Sequence, residues 1–478
     1  MPPVPTTVSP PTKDVSRTAP SGPPVEARRE GHWVDALADV MERIVPDAIT
    51  TSIILLVILV GLSLGLGTGL TATMDAYYRG LWMLLQFTMQ MTLILVLSLI
   101  LGATPTFKNA VIFLSRLPRT QAQVMVLAVV AGGFVAYLNW GLSIALSPVI
   151  AIHFATQAER KGIKIDFLWL MSVLAGGGAI WQFGLSGSAP LLMATPGNFL
   201  EQQAGVMPLT TTIWSPAALI LVPSFMAAVV MVGVVFMPKK PRQVSEFPQA
   251  ARVVESDRSA ETDGTPLGAR TFAQRLEYNP MVIAPLALAL AGWVYHHFFV
   301  RNLSLDINSV NTIVLLLGLV LHGNVHNFTK ATQHAVALCW PIVLMYHVYA
   351  GLAGVIQFTP VGGFLVRIFD PVLTAYTYPL LIALISTAVA IFIPTSGGQW
   401  AIQGAVTVEA ANLVGVSAQR GLLALSVGDH MGNLITPFWA VIGAGIARVD
   451  FRLMFGYRLI FAALWFTMGV LAFTFLPC

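Results

Sequence analysis

The chain consists of long apolar stretches separated by short polar segments. Most stretches are about 20 residues long, which is the length of a helix that crosses a bilayer. They are continuous rather than alternating, so the pattern predicts helices and not the strands of a membrane barrel. The stretches cover residues 48–70, 80–103, 121–157, 167–200, 211–236, 281–299, 307–323, 335–358, 371–412, 420–447 and 459–477.

Two stretches are too long for one crossing, and polar, glycine-containing sequence interrupts each of them near its middle. The interruptions are Leu138-Asn139-Trp140-Gly141 and Pro394-Thr395-Ser396-Gly397-Gly398-Gln399-Trp400. Apolar arms of similar length on both sides of each interruption predict two re-entrant helical hairpins. About nine full crossings then remain.

The basic residues predict how the helices are oriented in the membrane, because Lys and Arg accumulate in cytoplasmic loops. All but four of the 26 basic residues fall on one side, in segments 1–47, 104–120, 158–166, 237–279, 324–334 and 448–458. The other four are Arg79, Arg301, Arg367 and Arg420. The count predicts a cytoplasmic N-terminus, an external C-terminus and no basic residue within the membrane.

The two halves of the chain present the same elements in the same order: helix, helix, hairpin, interrupted helix, helix. The second half begins from the opposite side of the membrane, so the sequence predicts two inverted repeats. Inverted repeats with broken helices are typical of secondary transporters. The predicted domains are a largely disordered polar tail (1–47, with 32–47 able to form an interfacial helix), a first repeat (48–236), a cytoplasmic linker (237–279), a connector helix (280–306) and a second repeat (307–478).

Composition agrees with this all-α polytopic membrane fold. Hydrophobic residues make up 56% and charged residues 10% of the 478 residues, and the mean hydropathy is +0.75. An average soluble protein is about 25% charged. The net charge of +4 is spread over many loops, so nucleic acid is not expected as a partner. No early apolar core marks a signal peptide, and two cysteines make no disulfide framework.

Four polar interruptions, two in each half, suggest a ligand site. Unwound backbone is tolerated in a membrane where protein or a water-filled cavity satisfies it. Besides the hairpin tips, the interruptions are residues 184–190 and residues 428–433 with Thr436-Pro437. Gly, Pro and Ser also kink helices or let them pack closely, and for any single interruption that explanation stays open. The candidate substrate-binding residues are Asn139, Trp140, Gly141, Ser186, Gly187, Ser188, Thr395, Ser396, Gly397, Gly398 and Gln399.

Of the 22 acidic residues, Glu409 and Asp429 fall well inside the predicted membrane segments. An intramembrane carboxylate is costly, so it is a functional candidate by default. Asp429 could bind a coupling ion, H⁺ or Na⁺, together with Asn433 and Thr436. It could equally cap a half-helix, while Glu409 is expected at the membrane interface. No metal site is expected apart from this Na⁺, and no other cofactor.

An anionic substrate would have to be held without arginine. Free N–H groups at helix N-termini can do this, and such a site suits a small monoanion. Trp140, Trp181 and Trp400 could line an apolar pocket, although interfacial Trp is equally common. Residues 184–188 nearly match the G-x-S-x-G motif of hydrolases but lack its strand–turn–helix setting, so the chain is not expected to be an enzyme.

Several longer motifs resemble those of bacterial short-chain fatty acid transporters of the acetoacetate/butyrate uptake type. The resemblance covers residues 33–478 and is carried by Leu138–Gly141, Ser186–Leu192, Ala194–Asn198, Ile307–Asn311, Pro394–Gly404 and Pro437–Trp439. It implies a secondary carrier of small monocarboxylates in the bacterial cytoplasmic membrane, related to citrate and dicarboxylate carriers that work by an elevator motion. A homodimer is a further expectation. Asp429 stands where members tend to have Glu, and Gln399 where they tend to have a small residue or His.

The leading hypothesis is therefore symport of a short-chain fatty acid with H⁺ or Na⁺. Two alternatives share the same fold, namely a carrier of a different small anion such as a dicarboxylate, and an ion exchanger. A passive channel and an intramembrane enzyme are more distant alternatives. Accumulation of substrate against its gradient distinguishes a carrier from a channel.

Overall fold

The structure is a computed structural model that describes residues 48–250, 252, 271–337 and 339–477. Within these residues every regular element is a helix. The predicted polar tail, 1–47, and the middle of the linker, 253–270, lie outside the described residues. Six described helices are long and apolar enough to cross a membrane, and five more are apolar but shorter. The predicted all-helical, polytopic character is thus confirmed, whereas the number of crossings stays a prediction.

The described residues before residue 247 contain nine α-helices of more than four residues. They are α1 (Ala48–Gly65), α2 (Leu70–Leu81), α3 (Leu85–Gly102), α4 (Pro105–Ser115), α5 (Gln121–Leu138), α6 (Trp140–Arg160), α7 (Phe167–Gly177), α8 (Ser188–Ala194) and α9 (Pro216–Val235). A 3₁₀-helix, Gly178–Phe183, continues α7.

The second half follows a comparable order after a short connecting segment. Its helices are α10 (Phe272–Glu277), α11 (Ala284–Tyr295), α12 (Ile307–His322), α13 (Val325–Val336), α14 (Trp340–Phe358), α15 (Val361–Phe369), α16 (Tyr378–Ala390), α17 (Ser396–Leu413), α18 (Ala418–Ile435), α19 (Pro437–Ala447) and α20 (Arg452–Phe475). In the predicted repeats, α5–α6 would correspond to α16–α17 and α7–α8 to α18–α19, and the division into two repeats stays a prediction. Inversion of the repeats relative to a membrane stays a prediction.

The first predicted hairpin consists of α5 and α6, which pack against each other. The chain reverses at Asn139, whose backbone is extended and whose side-chain oxygen accepts a hydrogen bond from the Leu142 N–H. This is an N-cap, which satisfies one of the free donors at the start of a helix. The arms contain 18 and 21 residues, so each is also long enough to cross a bilayer, and re-entry stays a prediction.

The second predicted hairpin consists of α16 and α17, joined by residues 391–395. The backbone is extended at Thr395, and α17 begins directly afterwards at Ser396. The first arm begins at Tyr378, because the preceding residues form the separate short helix α15 and a 3₁₀ turn. Both hairpin tips therefore lie where the polar interruptions predict them.

The two interrupted helices differ from each other. After the 3₁₀-helix that follows α7, residues 184–187 lack helical hydrogen bonding and α8 begins at Ser188. The interruption predicted within 184–190 is therefore present. The interruption predicted at residues 428–433 with Thr436-Pro437 is present only at its end, because α18 continues as one helix to Ile435 and Thr436 separates it from α19.

Close helix packing explains the glycines of residues 428–433. A Cβ atom added at Gly428 would collide with the carbonyl oxygen of Ala383, and one added at Gly432 would lie 2.5 Å from the Cβ of Ala390. Both neighbours belong to α16. Small residues four positions apart let two membrane helices approach closely, so Gly428 and Gly432 serve packing instead of unwinding.

Among the described residues, one arginine lies buried inside the helical bundle at a position where the sequence predicts a cytoplasmic loop, while the position of the basic residues relative to a membrane stays a prediction. Arg458 belongs to α20, a candidate membrane span, and is only 4% exposed. It is placed there because α20 begins at Arg452 and continues through Arg458 without a break. The sequence pattern had assigned residues 448–458 to a cytoplasmic loop.

Two features of packing position the broken elements. Helix α2 packs on α14, where a Cβ atom added at Gly80 would lie 2.5 Å from the Cα of Gly354. Helix α18 packs on both α16 and α20. Large apolar side chains remain exposed on the outside, among them Val57, Phe134, Val235, Leu288 and Phe475, which is the surface a lipid environment requires.

Candidate functional site

The tip of the first hairpin is bonded to the unwound segment between α7 and α8. The Trp140 N–H donates to the Ser186 Oγ over 2.8 Å, and the Leu185 N–H donates to the Tyr137 carbonyl over 2.7 Å. These bonds satisfy backbone groups on both sides of the two breaks. An open hairpin tip and an open helix thus supply each other's hydrogen-bond partners, as buried backbone requires.

The tip of the second hairpin contacts the same region from the other half of the chain. The Ser188 and Ser396 hydroxyls are 2.8 Å apart, and the Gly397 N–H donates to the Ser188 Oγ over 3.0 Å. A Cβ atom added at Gly397 would lie 2.5 Å from the Phe87 Cζ and 3.2 Å from the Ser188 Cβ. Glycine at position 397 is therefore what permits the two halves to meet.

A cavity of about 260 Å³, here called the central cavity, lies at this meeting point. Its walls come from both halves and are largely aromatic or aliphatic, with a few hydroxyl and amide groups. None of these lining residues, all in the described part of the chain, is Lys, Arg or His. They are Ile49, Met91, Trp140, Trp181, Gln182, Gly187, Ser188, Trp340, Ile342, Met345, Tyr346, Tyr349, Pro394, Thr395, Ser396, Asp429, Asn433 and Trp439.

Asp429 is the acidic residue of the central cavity and is fully buried. Its Oδ2 accepts a hydrogen bond of 2.6 Å from the Gln182 Nε2 and one of 3.0 Å from the Asn433 Nδ2. Its Oδ1 has no hydrogen-bond partner among the described residues. The other intramembrane acid of the sequence, Glu409, is exposed, which agrees with the expected interfacial position.

Seven of the fourteen candidate residues line the central cavity: Trp140, Gly187, Ser188, Thr395, Ser396, Asp429 and Asn433. The Thr395 hydroxyl is also 2.6 Å from the Tyr346 hydroxyl. The cavity therefore gathers residues from all four predicted interruptions, although Asp429 and Asn433 themselves lie in continuous helix.

The other candidates surround the cavity without lining it. Asn139 caps α6, and Ser186 accepts the bond from Trp140. Gln399 is turned toward the hairpin interior, where its Nε2 donates to the Ser386 carbonyl over 2.9 Å and to the Gln403 Oε1 over 3.0 Å. The glycines among them, Gly141, Gly397 and Gly398, have Ser98, Phe87 and Thr395 as their respective nearest neighbours.

Thr436 lies seven residues beyond Asp429, at the end of α18. At 1.5 Å per residue this is about 10 Å along the helix axis. One ion cannot readily contact both side chains at that separation. The geometry instead groups Asp429 with Asn433 and Gln182.

Several lining residues carry no signal in the sequence. Gln182 precedes the first interruption in an apolar run, and Tyr346 and Tyr349 lie in an uninterrupted apolar helix. Trp181 lines the cavity as expected, whereas Trp400 is fully buried and does not. The roles of Gln182, Tyr346 and Tyr349 depend on which helices pack together, and single-sequence patterns do not contain that information.

The site offers hydrogen-bond donors and apolar walls, which can bind a small ligand. Among the described residues no group of three or more His, Cys, Asp or Glu could hold a metal ion. Hydroxyl and backbone N–H donors converge at Ser188, Ser396 and Gly397, next to an apolar chamber and a buried carboxylate. A cavity between two sets of broken elements in a polytopic bundle is the arrangement of a membrane transporter.

Solved transporter structures share this fold. MtrF of Neisseria gonorrhoeae, described as illuminating a class of antimetabolite efflux pumps, has a TM-score of 0.56 and 15% identity, covering 93% of this chain and 98% of its own. The YdaH transporter of Alcanivorax borkumensis, described as having an unusual topology, has a TM-score of 0.50 and 14% identity, covering 90% and 98%.

The family is established by sequence. The model of the short chain fatty acid transporter family matches residues 31–476, and the chain belongs to this family. Relatives in Haemophilus influenzae and Escherichia coli K12 are each 26% identical, covering 77% and 78% of this chain and 83% of their own length. Both carry the provisional name of short-chain fatty acid transporter. The expectation of a transporter rather than an enzyme is confirmed.

Proposed function

We propose that this protein carries short-chain fatty acids, such as acetoacetate or butyrate, across the bacterial cytoplasmic membrane by secondary active transport. Membership of the family supports the substrate class. The central cavity is the main observation in support of a carrier mechanism. Both hairpin tips and the first unwound segment reach it, and no basic side chain lines it.

The carboxylate of the substrate binds where Ser188, Thr395 and Ser396 converge. Their hydroxyls can turn toward a carboxylate oxygen, and the start of α17 adds the positive end of a helix dipole. Each of these groups is neutral, so together they balance one negative charge better than two. A small monocarboxylate is therefore favoured over a dicarboxylate.

The alkyl chain of the substrate occupies the apolar part of the cavity. Met91, Met345, Tyr349, Trp140 and Trp439 are among the residues that line it. Binding sites for small ligands combine such walls with a few polar groups that fix the orientation. These residues suit a short unbranched alkyl chain. They offer no charged group that could bind a second polar group on a longer substrate.

Asp429 carries the coupling ion, and we propose that this ion is H⁺. The two amide groups next to Asp429 present N–H donors to its Oδ2, whereas Na⁺ requires several oxygen ligands. Backbone carbonyls freed by unwinding often supply those ligands, but α18 is continuous across Asp429. The Oδ1 atom, without a hydrogen-bond partner among the described residues, is the proton acceptor.

Alternating access would follow an elevator motion of the hairpins and broken helices against the remaining helices. The contacts of α16 with α18 and of α6 with α19 support this, because each joins a hairpin to an interrupted helix. The cytoplasmic N-terminus, the external C-terminus and the homodimer expected from the sequence belong to the same proposal.

Uptake by proteoliposomes tests the proposal. Purified protein is reconstituted, and labelled butyrate uptake is measured under an inward H⁺ gradient, an inward Na⁺ gradient or neither. Because protonated short-chain acids cross bilayers unaided and are also driven by the pH gradient, the signal is the initial rate of uptake above that of protein-free liposomes. We expect accumulation driven by the H⁺ gradient and abolished by a protonophore.

Failure to take up any C2–C6 monocarboxylate, with protein that is monodisperse and folded, would contradict the proposal. The rival carrier of a dicarboxylate is tested in the same vesicles by competition. An excess of unlabelled acetoacetate should suppress butyrate uptake, and an equal excess of succinate should not. Suppression by succinate alone would favour the rival substrate.

A further inference from the structure

A second, smaller cavity of about 80 Å³ lies beside the central cavity. It is here called the arginine cavity, because Arg458 lines it together with His430 and three serines, Ser143, Ser147 and Ser172. Trp181, Asn433 and Trp439 line both cavities. The Trp181 and Trp439 rings are 6.3 Å apart in an edge-on arrangement and form the shared wall.

Arg458 is a buried cation without a buried anion. Its Nη2 donates to the Asn433 carbonyl over 3.0 Å, and its Nε is buried without a hydrogen-bond partner. No carboxylate of the described residues lies within salt-bridge distance of it. Burying an uncompensated charge is costly. The hydrogen bond to the Asn433 carbonyl does not explain the charge, because a neutral donor could form the same bond. The arrangement therefore calls for an anion.

The groups around Arg458 are suited to such an anion. His430 is 2% exposed, and both of its ring nitrogens lack a hydrogen-bond partner among the described residues. Its ring contacts Trp181 edge-on at 5.0 Å. The hydroxyls of Ser143 and Ser147 form a weak bond with each other at 3.3 Å, so both can reorient toward a ligand. Guanidinium groups bind carboxylates through charge-assisted hydrogen bonds.

We propose that the arginine cavity is a second binding subsite for the carboxylate of the transported acid. This rests on the proposed function, since the acid must enter the protein for the subsite to act. The subsite lies across the Trp181–Trp439 wall from the central cavity. The substrate anion can thus occupy a neutral site beside Asp429 or a cationic site beside Arg458.

Asn433 connects the two subsites. Its side chain donates to Asp429 in the central cavity, while its carbonyl accepts from Arg458 in the arginine cavity. A change in charge at Asp429 therefore reaches Arg458 through one residue. This connection would favour one subsite or the other according to whether Asp429 carries its proton.

Equilibrium binding of labelled butyrate to the purified full-length protein tests the subsite. Removing a charge-assisted hydrogen bond typically weakens binding by one to two orders of magnitude, so Arg458→Gln should weaken butyrate binding in the arginine cavity at least tenfold and leave only the site at Ser188, Thr395 and Ser396 occupied. Arg458→Lys should restore part of the affinity. Arg420→Gln is the matched control, because Arg420 also donates to a backbone carbonyl, that of Leu476, but lines neither cavity.

A second variant tests the cavity without touching Arg458. Gly443 lines the arginine cavity, and a Cβ atom added there would meet only the Pro148 Cγ, at 3.8 Å. Gly443→Val should fit and should weaken butyrate binding by filling the space. Gly445→Val, on the same helix where an added Cβ meets nothing within 4 Å, should bind as the wild type does.

The outcomes separate the two proposals. If the wild type binds butyrate while folded Arg458→Gln and Gly443→Val bind it with the same number of sites and the same affinity at each, the subsite is overturned and the proposed function stands. If the wild type binds no C2–C6 monocarboxylate, the proposed function itself fails. Displacement of butyrate by chloride at equal concentration would overturn the assignment of the subsite to carboxylates.

Discussion

Gln182 donates a hydrogen bond of 2.6 Å to Asp429, and this bond joins the two halves of the chain at the buried carboxylate. Gln182 lies in the 3₁₀-helix that leads to the first unwound segment, and Asp429 lies in the helix that follows the second hairpin. Movement at either element therefore changes the surroundings of Asp429. This makes Asp429 the residue at which substrate binding and coupling can meet.

Asp429→Asn should abolish gradient-driven butyrate accumulation, because an amide cannot take up and release the coupling proton. Accumulation should fall at least tenfold. Butyrate binding should stay within a few fold of the wild-type value, since Ser188, Thr395 and Ser396 are unchanged. Proteoliposome uptake and equilibrium binding are measured on the same preparation.

Two control variants accompany Asp429→Asn. Glu409→Gln changes an exposed acid on α17 and should leave uptake unchanged. Asp429→Glu keeps a carboxyl group and should retain coupled uptake in part. Full coupled uptake by Asp429→Asn would remove Asp429 from the coupling mechanism.

Ser188→Ala and Ser396→Ala should each weaken butyrate binding by about two- to tenfold, which corresponds to about 0.5–1.5 kcal/mol for one hydrogen bond. Their hydroxyls are 2.8 Å apart and are proposed to bind the same carboxylate. The double variant should therefore lose less affinity than the two single losses multiplied together. Strictly multiplicative effects would place the two hydroxyls at independent sites.

Gly397→Ala should disturb the contact between the hairpin tip and the first half of the chain. The added methyl group would lie 2.5 Å from the Phe87 Cζ, and such overpacking costs about 1–3 kcal/mol. We expect a lower Tm in detergent and weaker butyrate binding. Gly363→Ala is the control, because an added Cβ there meets nothing within 4 Å; equal effects of the two variants would contradict the assigned contact.

Gly428→Ala should lower the free energy of unfolding by about 1–3 kcal/mol, measured as a reduced Tm. The added methyl group would collide with the Ala383 carbonyl and lie 2.7 Å from the Ser386 Cβ. If the segment were instead an unwound hinge, alanine would raise helix propensity and stabilise the protein. A raised Tm would therefore restore the interruption that the sequence suggested.

The sequence predicts the architecture well because lipid imposes strong rules on it. Apolar length indicates the helices, and polar glycine-containing interruptions indicate the hairpin tips at Asn139 and Thr395. The errors have the same physical origin. Gly428 and Gly432 look like a break but serve packing against α16, and only the packed structure distinguishes the two uses.

The site was predictable in part. Ser188, Ser396 and Asp429 stand out because polar groups in a membrane segment are costly. Gln182 and Tyr346 do not, since each becomes functional only through a partner distant in sequence, Asp429 and Thr395 respectively. The sequence does not indicate that Arg458 is buried. It lies six residues after the start of its helix, close enough to the adjoining loop that the charge count includes it among the loop residues.

Gradient-resolved uptake by proteoliposomes tests the central claim most directly. Wild-type and Asp429→Asn proteins are reconstituted in parallel, and labelled butyrate is followed under H⁺, Na⁺ or no gradient against protein-free vesicles. We expect the wild type to accumulate butyrate above background under the H⁺ gradient alone, and Asp429→Asn to accumulate none above background. Accumulation driven by Na⁺ alone, or equal accumulation by both proteins, would contradict the central claim.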